Sequence, residues 1–209
     1  MYSQKVRVVL DILYQEIRVY HENNKDAFKI FNYPDSEKIL NSNIQQFSIT
    51  CCTTFTIALN GSRDNNWMFN QISDKFGLVK DLEIISRANS NVRPIFASWP
   101  QNVDIPNSAW FTLEYLFACT CTTIKLDKSH LGNKDLNDIL KNWKAGGFPS
   151  LERLKVYSHN IKNNGTTILG MNLMELNGMI IQTNDESKNA TINTGFRYGC
   201  IEMCVTPFD

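Results

Sequence analysis

The sequence predicts an α/β chain in which short parallel strands alternate with helices, with antiparallel β segments at both ends. Three observations carry this prediction. Extended runs alternate with amphipathic ones through the middle of the chain, one apolar frame recurs in the extended runs, and both flanks are β-branched segments separated by polar turns. Composition allows it. The chain has 209 residues, 43% hydrophobic and 20% charged, which excludes collagen-like, low-complexity and disordered classes. A chain of this size buries about 70% of its unfolded surface, so a sizeable core is available.

Taken in order, Val6–Tyr14 alternates as a strand but also begins a helical stripe through Val6, Val9, Leu10, Leu13, Ile17 and Tyr20. Its β-branched residues favour the strand. Gln15–His21 and Ala27–Phe31 follow as strands around the turn-like Glu22-Asn-Asn-Lys25. Thr54–Leu59 is a strand. Asp64 is placed to cap a helix that carries Met68, Phe69, Ile72 and Phe76 and ends at Gly77. Val79–Ile85 is the next strand, followed by a loop with Pro94, Pro100 and Pro106, ordered by Trp99. Asn107 or Ser108 begins a helix with Trp110, Leu113, Leu116 and Phe117, and Cys121–Leu126 is a strand. The strongest helical signal is Lys134–Lys144 after an Asn133 cap, with Leu136, Ile139, Leu140 and Trp143 on one face and Gly146-Gly147 as its stop. Leu151–Tyr157 is a further strand. Gly178–Thr183, Ala190–Asn193 and Cys200–Val205 read as strands of a small antiparallel cap that protects an open sheet edge.

The recurring frame is L-x-x-L-x-L. Val79, Leu82 and Ile84 fit it, as do Cys121, Ile124 and Leu126, and Leu151, Leu154 and Val156; Thr54, Ile57 and Leu59 fit less well. The last two copies continue to Leu131 and Ile161. Spacing between copies is irregular, so the expectation is a leucine-rich-repeat-like stack of parallel strands and helices. The division is 1–50 as an amino-terminal β-rich segment, 51–165 as the repeat-like domain and 166–209 as the β cap, joined in one unit.

Lys+Arg and Asp+Glu both number 21. General nucleic-acid binders and binders of anionic membranes carry a basic excess, so neither partner is expected. No apolar run reaches the length of a membrane-spanning helix, and Met1–Val6 does not open like a signal peptide. The expected location is intracellular, in cytoplasm or nucleus, with the cysteines at 51, 52, 119, 121, 200 and 204 reduced. Neither Cys51-Cys52 nor Cys119-x-Cys121 has zinc-ribbon spacing. His21, His130 and His159 are scattered, and no phosphate-cradling glycine motif is present. Asp135 and Asp138 read as first-turn charges that complement the helix dipole. No catalytic residue, cofactor or metal is expected.

A recognition surface is expected instead. Between the inward apolar positions, the alternate residues point outwards and align from strand to strand. Those rows are Asp81, Glu83 and Ile85 beside Thr123, Lys125 and Asp127, then Arg153, Lys155 and Tyr157. The partner-binding candidates are Glu83, Lys125, Lys155 and Tyr157, with Tyr157 as an aromatic anchor.

The run "NSAWFTLEYLFACTCTTIKLDKSHLGNKDLNDILKNWKAGGFPSLERLKVY", Asn107 to Tyr157, resembles the type-2 F-box-associated domain, a family expanded in nematodes. The matching features are the Ser-x-Trp entry, the Leu-rich helix leading to a Cys, the strand Thr-x-Ile-x-Leu, then "KDLNDILKNWKAGG" and "LERLKVY". The later "NATINTGF" resembles an Ala-Thr-Ile strand of that family. The resemblance implies a non-catalytic adaptor that recruits a protein target to a Skp–cullin–F-box ubiquitin ligase. An F-box typically opens with a Leu-Pro pair, and none is read in residues 1–50. The chain is therefore expected to start where an F-box would end, and its contact with ligase components to be indirect. The alternative expectation is a stand-alone interaction module, or a decoy, without ligase coupling.

Overall fold

The computed structural model describes residues 6–11, 16–21, 24–29, 54–59, 73–86, 94–195 and 199–207. The chain divides into two compact units, Met1–Asp104 and Ile105–Asp209. Both are built on sheet, and the architecture is α/β with a dominant mixed sheet and few helices among the described residues.

In the first unit the strands are β1 (Val6–Asp11), β2 (Glu16–His21), β3 (Asn24–Lys29), β4 (Thr54–Leu59), β5 (Asp81–Ser86) and β6 (Asn102–Ile105). Their order is β3-β2-β1-β4-β5-β6. β1, β4, β5 and β6 run parallel, while β2 and β3 join antiparallel at one end. The β-branched residues of the amino terminus thus resolve as strands, and the antiparallel segment expected there is present. Register brings Phe55 beside Leu82 and Leu82 beside Val103. Side chains two apart share a face, so these residues with Ile57 and Ile84 form one buried layer. Phe76 packs on it, 6.3 Å from Phe55 and 6.2 Å from Phe96, which stacks on Trp99 at 3.9 Å. The expected ordering of the proline-bearing loop by Trp99 is this stack.

Two expectations for this unit need correction. Ser73–Leu78 is a 3-10 turn rather than the end of an α-helix, and Gly77 lies inside it. Ser98 holds it there, its hydroxyl donating to the Ser73 carbonyl at 2.7 Å and accepting from the Gly77 N–H at 2.9 Å. The remainder of that predicted helix, with Met68, Phe69 and Ile72, lies outside the described residues, as do Glu22 and Asn23 of the expected turn, whose other two residues, Asn24 and Lys25, instead begin β3. The proline-bearing loop also contains a strand, β6. Only four residues long and bounded by Pro100 and Pro106, with Asn102 and Asp104 between its apolar residues, β6 gives too short a period to read. It occupies the long gap between the frames of Leu82 and Ile124.

The second unit contains β7 (Thr123–Leu126), β8 (Arg153–Tyr157), β9 (Ile180–Gln182), β10 (Lys188–Gly195) and β11 (Cys200–Pro207), in the order β7-β8-β11-β10-β9. β7 and β8 are parallel; β11, β10 and β9 continue antiparallel from β8. The antiparallel carboxy-terminal segment is thus present. Its helices are α1 (Leu113–Ala118), α2 (Asn133–Lys144) and α3 (Leu173–Leu176). Leu136, Ile139, Leu140 and Trp143 of α2 are all buried, as their spacing requires, with Trp143 1% exposed.

The starts of the helices differ from expectation. α1 begins at Leu113 after Thr112; Ser108 instead spends both its N–H and its hydroxyl on the Asp127 carbonyl, at 2.8 and 2.9 Å. α2 is capped by Gly132, whose N–H donates to the Asp135 carboxylate at 2.8 Å. This leaves Asn133, the expected cap, for another task. It is buried; its Nδ2 donates to the Lys162 carbonyl at 2.6 Å and its Oδ1 accepts from the Lys162 N–H at 3.1 Å. α3 carries a capping box that the periodicity hid: Asn172 accepts from the N–H groups of Met174 and Glu175, and Glu175 accepts from the Asn172 N–H.

Asn133→Ala is expected to cost about 1–3 kcal/mol, because the Lys162 N–H loses its acceptor. Trp143→Ala is expected to cost about 3–5 kcal/mol through the cavity it opens. Both should appear as lower urea midpoints with little change in slope.

Candidate recognition face

In the second unit, Ile124, Leu126, Leu154, Val156, Ile201 and Met203 face the core. Strand alternation sends their neighbours to the opposite face. Lys125 therefore stands beside Lys155, and Lys155 beside Glu202. Two ammonium groups on adjacent strands repel, and each finds a different carboxylate. Lys125 Nζ lies 3.3 Å from Asp127 Oδ2, and Lys155 Nζ lies 3.3 Å from Glu202 Oε2. Glu202 also receives Arg153, whose Nε donates to Oε1 at 2.7 Å and whose Nη2 joins the same oxygen. One carboxylate thus serves two cations.

Lys155 Nζ also lies 5.3 Å from the centroid of the Tyr157 ring, within cation–π reach. Its pKa is raised, first by a hydrogen bond with Tyr157 and then by Glu202, against the opposing effect of burial. Burial alone would raise the Glu202 pKa, but hydrogen bonds and charge from Arg153 and Lys155 outweigh it and hold the carboxyl below its ordinary range.

Next to this row, at the carboxyl ends of β7 and β8, is a surface basin of ≈ 410 Å³ lined by Lys125, Asp127, Lys128, Tyr157, Ser158 and His159. Two turns of similar construction form its rim. The Leu131 N–H donates to Ser129 Oγ and the Asn160 N–H to Ser158 Oγ, both at 3.1 Å. The Ser129 N–H donates to the Tyr157 carbonyl at 2.9 Å, tying the first turn to β8, and Asn160 Nδ2 donates to the His130 carbonyl at 2.8 Å. Leu131 and Ile161, the extensions of the apolar frame, are buried beneath these turns. Gly199 supports the second one. Its carbonyl accepts from the Ser158 N–H at 2.8 Å, its φ is +54°, and a Cβ there would lie 2.0 Å from the Ser158 oxygen. Only glycine fits that position.

Of the four candidate residues, Lys125, Lys155 and Tyr157 come together on this face. Glu83 does not join their row through its strand: β5 pairs with β4 and β6, so its neighbours are Thr56 and Asp104, and Thr56 Oγ1 donates to its carboxylate at 3.1 Å. The expected pairing of the Glu83 strand with that of Lys125 is corrected: the strand after Glu83 in the chain, and beside it, is β6. Sequence reading also missed Lys128, Ser158 and His159, which lie past the strand ends, and Glu202, which reaches the face only through antiparallel pairing. A repeated Ser-His pair after β7 and β8 was the available signal. Cys119 and Cys121 are buried, Cys200 and Cys204 half-buried, and all four are free thiols. A hydrogen bond with Cys119, and then burial, push the Cys121 pKa up, opposite to a reactive cysteine. Among the described residues, no group of three or more His, Cys, Asp or Glu is placed to hold a metal ion, and no helix is long and apolar enough to cross a membrane.

A carboxylate whose pKa is depressed on folding stabilises the fold above its unfolded pKa, and that contribution is lost as pH falls through the folded value. Glu202→Gln is accordingly expected to cost about 0.5–1 kcal/mol near neutral pH, less at high salt. The difference from wild type should narrow below about pH 4 in urea titrations. Gly199→Ala is expected to cost more, about 1–3 kcal/mol for the backbone strain alone, read as a lower midpoint by the same titration.

No curated protein and no solved structure matches the chain. The family model described as F-box associated matches residues 93–156. That segment includes β6, α1, β7 and α2 and runs through β8 to the residue before Tyr157. Over residues 93–156, about a third of its length, the chain is similar to the F-box-associated family.

Proposed function

We propose that this chain is a non-catalytic protein-recognition module, the target-recruiting part of an adaptor for Skp–cullin–F-box ubiquitin ligases, acting in ubiquitin-dependent turnover inside the cell. The carrying observation is the family match at 93–156, which covers the strands that display Lys125 and Lys155. The mechanism is proximity: a target held beside the ubiquitin-loading machinery meets it at raised effective concentration. Contact with the ligase comes from an F-box in the complete adaptor or from a partner chain. The scaffold is read as leucine-rich-repeat-like. That reading is supported by parallel pairing in both units and by the burial of Leu131 and Ile161 one turn past the strands. Solenoid sheets use their outward rows for binding, and this reading assigns that role to Lys125, Lys155 and Tyr157 in the second unit and, separately, to Glu83 in the first.

Affinity capture of the tagged chain from its native cells, followed by mass spectrometry, is expected to recover a cullin and its adaptor subunit with the target. Specific partners without any ligase component would overturn the ligase coupling. For a captured target, Tyr157→Ala is expected to weaken binding about tenfold, as an aromatic anchor does. Unchanged affinity in both Tyr157→Ala and Lys125→Glu would show that the face is wrongly placed.

A further inference from the structure

The basin at the carboxyl ends of β7 and β8 has an unbalanced set of charges. Lys125, Lys128 and His159 bring cationic or protonatable groups to it, Tyr157 and Ser158 bring hydroxyls, and Asp127 brings a carboxylate that Lys125 already engages. On the adjoining row, Arg153 and Lys155 share the single carboxylate of Glu202. This corner is therefore basic in a chain whose total charge is zero. The excess is local and is placed around a concavity.

The backbone adds an independent observation. Lys128 has φ +51°, in the left-handed region, where a lysine is disfavoured relative to glycine. Strain of this kind concentrates at binding sites, where the surrounding structure holds a residue against its own preference. Here the strained residue is an exposed cation on the rim of the basin. The volume of ≈ 410 Å³ suits one side chain and its flanking peptide.

We infer that this basin seats an anionic side chain, a carboxylate or a phosphoryl group, presented by an acidic segment of a protein partner. The inference rests on the protein-recognition reading above and specifies the chemistry of the target. Lys128 and His159 bind the anion, Tyr157 forms the apolar wall, and Arg153 and Lys155 extend the positive field along the approaching segment. Complementary charge of this kind favours encounter and fixes register, and it weakens with salt.

The test is fluorescence anisotropy on the full 209-residue chain with three labelled probes of equal length: an octaglutamate peptide, an octaserine peptide with one central phosphoserine, and an oligothymidylate. One or both peptides are expected to bind, with affinity falling as salt rises, and their ranking assigns the anion as carboxylate or phosphoryl. Lys128→Gly should weaken that binding about tenfold without lowering the thermal midpoint, because glycine accepts the left-handed backbone. Lys141→Gln, an exposed change on α2 outside the basin, should leave binding unaltered. Failure of both peptides to bind at millimolar concentration would overturn the inference. So would unchanged affinity in both Lys128→Gly and His159→Ala, or tighter binding of the oligothymidylate. Capture of ligase components is read separately, so loss of peptide binding with that capture intact removes the acidic target and not the adaptor role.

Discussion

Parallel pairing of Ile124 with Leu154 and of Leu126 with Val156 places both pairs in the core, and the two-residue period of a strand then determines what lies opposite. Lys125 must stand beside Lys155, and the antiparallel arrival of β11 sets Glu202 beside Lys155 in turn. A slip of one residue in either ladder would turn leucines to solvent and lysines inward. Burial of the apolar face is thus what holds the charged face in order. The ion pairs on it are consequences of register, each contributing little by itself.

The loops beyond the strands are shaped by a different economy, the need to satisfy backbone groups where the ladder stops. Ser129, Ser158, Asn133 and Asn160 do this with short polar side chains that fold back on nearby N–H and C=O groups. Because Ser129 and Ser158 are spent on their own turns, and Leu131 and Ile161 anchor those turns from below, the rim of the basin rests on buried structure. A rigid rim suits recognition, since less ordering is required when a partner arrives.

The electrostatic character of the face follows from the same frame. Along β8 and β11 two cations share the one carboxylate of Glu202, and Lys128, past the strand end and outside the ladder, adds to that basic excess. A neutral chain can in this way present a local anion-attracting corner without the general affinity for polyanions that a high net charge confers.

The elements legible from sequence were those whose period was long or clean. α2 declared itself through Leu136, Ile139, Leu140 and Trp143, β4 through the β-branched and aromatic residues of Thr54–Leu59, and β7 and β8 through one shared frame. β6 was hidden because four residues between prolines contain too few periods, and α3 because a single turn does the same. Three of the four candidate residues were placed together because strand phase is a local property. Lys128, His159 and Glu202 were invisible because loops carry no period and antiparallel pairing is set by partners distant in the chain. The sequence alone thus determined which side of β5, β7 and β8 would be buried, through the alternation of apolar and polar residues. Only the tertiary structure decided which strands stand side by side, because pairing depends on burying whole faces together, and with it which charges meet around the basin.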